Sequence, residues 1–194
     1  MAYATASDVK TYLGIGTTAD DALIATCVTR AQAGIENYTH RKFEASADTV
    51  HYFSVGVDTD GRTLYLDDDL CAITSVVTNA DNAAPTTLLA TEYTTEPRNQ
   101  TPYHIIRLLG SSTHGWTYTT DHENGIEVTG KWAYSTTPPG DVVQACVRWA
   151  AYMYRQKDAQ VFDVTAQPDM GVITIPQGIP ADVKMLLEPY RRVW

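Results

Sequence analysis

Ser7-Asp8-Val9-Lys10 has the serine–lysine spacing in which an amine can take the proton of a hydroxyl nucleophile. The partner motifs of that chemistry are absent, and the same residues read as a helix cap followed by a surface lysine. Asp67-Asp68-Asp69, with Asp58 and Asp60 nearby, offers the clustered oxygen ligands that hard cations prefer. No glutamate stands at the twelfth position of a calcium loop, and a solvated turn between Leu64-Tyr65-Leu66 and Leu70 explains the run equally well. The histidines His40, His51, His104, His114 and His122 never fall four apart on one helix. His114 and His122 flank a Gly/Thr/Tyr-rich loop across which they could meet. Gly14-Ile15-Gly16 is too short to cradle a phosphate and follows a helix instead of a strand. Asn37-Tyr38-Thr39 and Asn99-Gln100-Thr101 fit a glycosylation acceptor, which has meaning only in a secreted chain. These residues define no catalytic, cofactor or metal site, and the expectation is a protein that is not an enzyme. The one enzymatic alternative is a metal-assisted hydrolase using Asp67–Asp69 and a histidine.

The aromatic residues point toward interfaces. Trp149 falls on an apolar helical stripe, so it reads as core. Trp116, Tyr118 and Trp132 lie in a β-rich stretch and suit either core or interface. Tyr190-Arg191-Arg192-Val193-Trp194 ends the sequence with aromatic and arginine side chains, the favoured anchors of protein interfaces. Burial of Trp194 within its own chain is hard to arrange there. The segment is therefore expected to make few internal contacts and to dock on a partner.

The elements that carry these residues follow from periodicity. Ser7 is read as the cap of a short helix with Val9, Tyr12 and Leu13 on one face, ended by Gly14. Thr18 with Asp20 and Asp21 starts a second helix, in which Leu23, Ile24, Cys27, Val28, Ala31, Ile35 and Tyr38 recur at helical spacing to about residue 40. Residues 50–55, 64–66, 73–78, 104–108 and 126–129 read as strands, with Asp60-Gly61 as a hairpin turn and Asn79, Asp81 and Asn82 as another. They suggest a small antiparallel sheet or barrel. The helical period returns with Val142, Val143, Cys146, Trp149, Ala150 and Met153. A strand is expected at Val172-Ile173-Thr174-Ile175, then a last helix with Pro180 at its first position and Val183, Leu186 and Leu187 on its apolar side, limited by Pro189.

The chain has 194 residues, 44% of them hydrophobic and 19% charged, which suits one domain or a domain carrying an insertion. No apolar run reaches the length of a membrane span, and the first residues have neither the basic nor the apolar region of a signal peptide. Cys27, Cys71 and Cys146 are odd in number and far apart, which fits a reducing cytosol better than a disulfide framework. The net charge of −9 is unevenly placed. Residues 44–139 hold 13 acidic and 4 basic side chains, whereas the flanks hold 10 of each. The same segment holds 18 of the 27 threonines, a β-rich signature. A surface of that sign repels phosphates, which excludes nucleic-acid gripping by a basic patch.

The chain is α+β: a helical bundle of two N-terminal and two C-terminal helices interrupted by an antiparallel β-rich insertion. The parts are expected at 1–43, 44–138 and 139–194, the last ending in the docking tail.

Several stretches, in order, resemble the head–tail connector proteins (adaptor, or head-completion proteins) of tailed bacteriophages. They are Ser7 to Leu13, Asp20 to Ile24 running on to Arg41, Leu66-Asp67-Asp68-Asp69-Leu70, and Glu96-Pro97-Arg98-Asn99 with Pro102-Tyr103. Val128-Thr129-Gly130-Lys131-Trp132-Ala133-Tyr134, Pro138 to Ala145, and Ile179 to Val183 with Pro189 to Arg192 complete the match. Relatives have glycine where this chain has Ala133, and many are nearly all helical, without so large an insertion. The resemblance implies a structural protein of the virion neck, assembled in the host bacterial cytoplasm, with no cofactor. It implies a ring of twelve subunits beneath the portal protein, extending the DNA channel toward a stopper or tail-completion protein. It further implies a terminal segment docked on the portal, here Tyr190, Arg191, Arg192, Val193 and Trp194. Asp67, Asp68 and Asp69 become candidate channel-wall acids past which DNA slides without specific binding, although acids on a solubilising outer face carry the same charge. A stopper or tail terminator of the same neck is the neighbouring reading.

Overall fold

A computed structural model describes residues 2–159, 165–167, 171–173 and 178–192. The chain is α+β and divides into two compact units: Met1–Arg41 with Pro138–Trp194, and Lys42–Thr137.

The first unit holds four α-helices among its described residues: α1 (Ala6–Leu13), α2 (Asp21–Thr39), α3 (Gly140–Ala159) and α4 (Ala181–Leu187). The cap of α1 is Thr5, not Ser7. Thr5 Oγ1 accepts the Asp8 N–H while the Asp8 carboxylate accepts the Thr5 N–H, a reciprocal capping box. That exchange holds the Asp8 carboxyl below its ordinary range. Gly14 ends the helix in the left-handed conformation. In α2 the expected stripe is the buried one: Ile24, Cys27, Val28, Ala31 and Ile35 face inward, while Leu23 stays exposed. Thr18 accepts the Asp21 N–H through its carbonyl, and Asp20 occupies the cap position.

Helices α2 and α3 pack closely because Gly34 has no side chain. A Cβ there would collide with the Trp149 ring. Burial of Val142, Ala145, Cys146 and Ala150 on α3, and of Val183 and Leu187 on α4, completes this core. Each such large side chain contributes about 1.5–3 kcal/mol. At the other end of the pair, Asp20 accepts from Tyr154 Oη (2.6 Å) and Lys157 Nζ (2.9 Å). Those bonds lower the Asp20 carboxyl and raise the Tyr154 and Lys157 groups from their ordinary values. The three cysteines are buried and free, and burial pushes the Cys146 thiol up to about 12.

The second unit is built on a seven-stranded antiparallel sheet: β1 (Thr49–Phe53), β2 (Thr59–Asp60), β3 (Thr63–Thr78), β4 (Thr86–Thr87), β5 (Tyr93–Glu96), β6 (Tyr103–Leu108) and β7 (Ile126–Trp132). The order is β1-β7-β3-β6-β5, with β2 and β4 added to β3, so the sheet is open. The two strands expected at 64–66 and 73–78 are one. Its first half pairs with β2 and β6, its second with β7 and β4. One face buries Phe53, Leu64, Leu66, Ile106, Leu108, Ile126, Val128 and Trp132 with Trp116. Gly130 of β7 sits where a Cβ would meet the Ala72 carbonyl, so only glycine lets β7 and β3 approach there. Ala133 is buried, and the only non-glycine residues with positive φ among the described ones are His40 and Asn79, so the missing glycine leaves no left-handed turn behind.

A small antiparallel pair, β8 (Thr165–Gln167) and β9 (Gly171–Ile173), lies between α3 and α4 in the sequence. Thr174 and Ile175 of the strand expected there lie outside the described residues. Pro180 is the cap of α4, one position earlier than expected, and Pro189 falls within a 3₁₀ turn at Glu188–Tyr190.

The turn after β3 is fastened by one carboxylate. Asp81 accepts the backbone N–H groups of Thr119 (3.0 Å), Thr120 (2.6 Å) and Asp121 (2.8 Å), which hold its carboxyl below the ordinary 3.8. A carboxyl lowered by folding stabilises the native state above its unfolded value and loses that effect as pH falls. Asp81→Asn should therefore be less stable than wild type at pH 7 in urea unfolding, with the gap closing below about pH 3. A gap independent of pH would rule out the carboxylate charge as the fastening.

Candidate functional site

The C-terminal segment grows out of α4. Val183 and Leu187 bury one side of this helix, and Met185 on another side is 78% exposed. The 3₁₀ turn then brings Glu188 to Tyr38, whose hydroxyl donates to Glu188 Oε2 at 2.7 Å and is raised above its ordinary value by that bond. Arg191 lies with its guanidinium 5.7 Å from the Tyr38 ring centre. The Arg192 N–H donates to the Thr39 carbonyl at 2.9 Å, and Tyr190 Oη reaches Asp141 Oδ2 at 3.4 Å. The expectation of few internal contacts thus fails for Tyr190, Arg191 and Arg192. Arg191 and Arg192 clamp the end of α2, which had no side-chain signal beyond an aromatic at position 38, while Tyr190 reaches α3. Val193 and Trp194 lie outside the described residues.

The acidic run is not a turn. Asp67, Asp68 and Asp69 sit inside β3, at the point where its register with β6 breaks. Tyr65 pairs with Ile105, yet Leu70 pairs with Tyr103, so five steps on β3 match two on β6. The extra length is the aspartate bulge. The three side chains then diverge. Asp67 is exposed and lies 3.3 Å from His51 Nδ1, and His51 stacks on Trp132 with ring centres 3.8 Å apart. Asp68 Oδ1 accepts the Asp69 N–H at 2.9 Å. Asp69 is fully buried, with Oδ1 3.6 Å from His104 Nδ1. Of the three, Asp67 is exposed and Asp68 half-buried, so only these two present charge to solvent.

The remaining chemical candidates separate. Lys10 Nζ is held by Asp21 at 2.7 Å, away from any serine–lysine exchange. His114 pairs with Glu92 at 3.5 Å, whereas His122 lies edge-on to Tyr118. Among the described residues no group of three His, Cys, Asp or Glu side chains could hold a metal ion, and no helix is long and apolar enough to cross a membrane.

One concave surface stands out within the helical unit. Tyr12 and Leu13 of α1, Arg148, Ala151, Tyr152 and Arg155 of α3, and Pro180 and Asp182 at the start of α4 line a groove of ≈ 190 Å³. Sequence reading missed it because its residues come from three separate elements. The helical spacing of Arg148, Tyr152 and Arg155 on one face was the available signal.

The chain belongs to the head completion protein family, whose model matches residues 2–193. Its role is thus that of a head–tail connector of a phage-like virion. The fold is shared with a chain from the neck of an empty gene transfer agent (GTA) particle computed with C6 symmetry, at 20% identity and TM-score 0.58, covering 97% of this chain and 89% of that one. A chain from the neck of the native GTA particle computed with C12 symmetry gives 19%, 0.59, 97% and 88%. A chain of the native GTA virion gives 21%, 0.58, 97% and 89%. No curated protein matches the chain.

Buried Asp69 and exposed Asp67 should respond oppositely to charge reversal. Asp69→Lys should cost about 3–5 kcal/mol in chemical denaturation, because it buries an uncompensated cation. Asp67→Lys should stay within about 0.5 kcal/mol of wild type. Equal effects would contradict the bulge geometry.

Proposed function

We propose that this protein is the adaptor of the neck: a ring of subunits, twelve in number, bound beneath the portal protein and presenting a surface to a stopper or tail-completion protein. The observation that carries this reading is the family match across residues 2–193, supported by a fold shared with neck proteins over 97% of the chain. In this reading the four helices form the ring-building bundle. The role is mechanical, with no reaction and no cofactor. A ring is a head-to-tail assembly closed by rotation, so each subunit needs two different complementary surfaces.

The portal contact is assigned to the C-terminal segment. Arg191 and Arg192 set its direction by gripping α2, Tyr190 by reaching Asp141 of α3, and Val193 and Trp194 supply the anchor. A modest contact repeated around a ring holds firmly, because each later contact forms within the same complex. Asp67 and Asp68 are assigned to the DNA path, where carboxylates repel phosphates and keep the duplex sliding.

Native mass spectrometry of the protein mixed with its own portal should show one copy of this chain per portal subunit. Loss of that complex on removing residues 193–194, with the thermal midpoint unchanged, is the expected signature of the docking tail. Truncated protein that still decorates portals would sink the tail assignment, and no portal association at any salt concentration would move the protein to the stopper or tail-terminator position. Separately, particles carrying Asp67→Lys and Asp68→Lys should eject DNA more slowly than wild type. Unchanged ejection kinetics would take these acids out of the channel.

A further inference from the structure

The groove on the helical unit carries hydrogen-bonding capacity that the unit itself does not use. Arg148, Ala151, Tyr152 and Arg155 share one face of α3, at spacings of three, four and seven residues. Arg148 Nη1 holds Asp182 Oδ2 at 3.1 Å, yet Arg148 Nε is buried with no hydrogen-bond partner among the described residues. Arg155 is exposed and has neither a hydrogen bond nor an ion pair among the described residues. The lining thus sets two guanidinium groups against the single carboxylate of Asp182. A buried donor without an acceptor is costly in the free protein and is satisfied when an incoming oxygen reaches it.

An occupant that completes this lining brings a carboxylate for Arg155, an oxygen for Arg148 Nε and an apolar side chain for Leu13, Ala151 and Pro180. Helix geometry sets the two arginines about 10 Å apart along α3, the length of about three residues of extended peptide. A nucleic-acid backbone would match the arginines but would leave the apolar lining uncovered. The ≈ 190 Å³ volume admits side chains of a partner, not a folded body. Position separates the groove from the C-terminal segment. Tyr190 meets α3 at Asp141, in its first turn, whereas the groove takes residues from Arg148 to Arg155. The two contacts lie about 10–20 Å apart along the helix axis. With the C-terminal segment assigned to the portal, the groove is left to a different component.

We infer that the groove is the docking site for an acidic segment of the stopper or tail-completion protein, one in which an apolar side chain stands beside a carboxylate. The carboxylate pairs with Arg155, a second oxygen of the segment accepts the Arg148 Nε–H, and the apolar side chain packs on Leu13 and Ala151. Tyr12, 53% exposed, is open to the same contact. Tyrosine and arginine beside apolar surface are where interface energy concentrates. The inference rests on the adaptor role proposed above and assigns the surface through which that role is passed on toward the tail.

An array of overlapping peptides, each of about fifteen residues, tests it. The array spans the stopper and tail-completion proteins of the same particle and this chain itself, and Kd values follow from fluorescence polarisation. The tightest peptides should come from the stopper or tail-completion protein and hold Asp or Glu beside an apolar residue. Arg155→Glu should weaken them about tenfold, and lysine in place of the peptide's acid should restore binding to that variant within about twofold of wild type. Arg30→Glu makes the same charge change on α2, outside the groove, and should leave binding within about twofold. Equal losses in the two variants would reduce the effect to the overall field and overturn the inference. So would tightest binding by peptides of this chain, which gives the groove to a second copy, or an Arg155-dependent preference for a DNA duplex, which gives it to phosphates. No peptide binding by protein that still binds its portal overturns this inference alone. Loss of portal and peptides together would remove the adaptor role with it.

Discussion

Strand β3 must satisfy more partners than one straight strand can reach, and the sheet depends on how it does so. Its sixteen residues pair with β2 and β6 at one end and with β7 and β4 at the other. A regular strand would carry a single register along its length. Three consecutive aspartates break that register, letting β3 bend between its two sets of partners. Farther along, Gly130 allows β7 to close against the Ala72 carbonyl where a second irregularity occurs. Polar residues inside a strand and a glycine in a central one are both unfavourable locally. Here they let one strand join two halves of a sheet.

The same bulge sorts the acidic side chains by role. Had the run been a solvated turn, its three carboxylates would have been equivalent. Within the bulge one is buried beside His104, one caps its own backbone, and one faces outward near a histidine stacked on Trp132. Composition places negative charge in the middle of the chain, but geometry decides which of it another molecule can meet. The helical unit shows the complementary case. Its charges nearly cancel in number, and its carboxylates Asp20, Asp21 and Asp182 are each engaged by a basic side chain.

Long helices were legible because burial on one side writes a period into the sequence. Ile24, Cys27, Val28, Ala31 and Ile35 identify the buried face of α2 without reference to any neighbour. Strands were legible where they are apolar, as in Ile126 to Val128, and invisible where they are not. Tyr93-Thr94-Thr95-Glu96 is an edge strand of half-buried polar residues, which reads as loop. The aspartate run concealed the continuity of β3 because charge normally marks a turn. The α1 cap was displaced by two positions although Thr5-Ala6-Ser7-Asp8 has the reciprocal capping spacing. The groove, and the clamp of Arg191 and Arg192 on α2, depend on tertiary contacts more than a hundred residues apart in sequence, for which one sequence holds no periodic trace.

The three cysteines bear on the life of such a particle. A virion component is made inside a reducing cell and then persists outside, where oxygen and peroxides act on thiolates. Cys27, Cys71 and Cys146 are each buried, and burial raises all three thiols above their ordinary range. Little reactive thiolate forms, and none of the three is displayed for cross-linking to a neighbour. The fold can therefore pass from a reducing to an oxidising environment with its thiols unchanged.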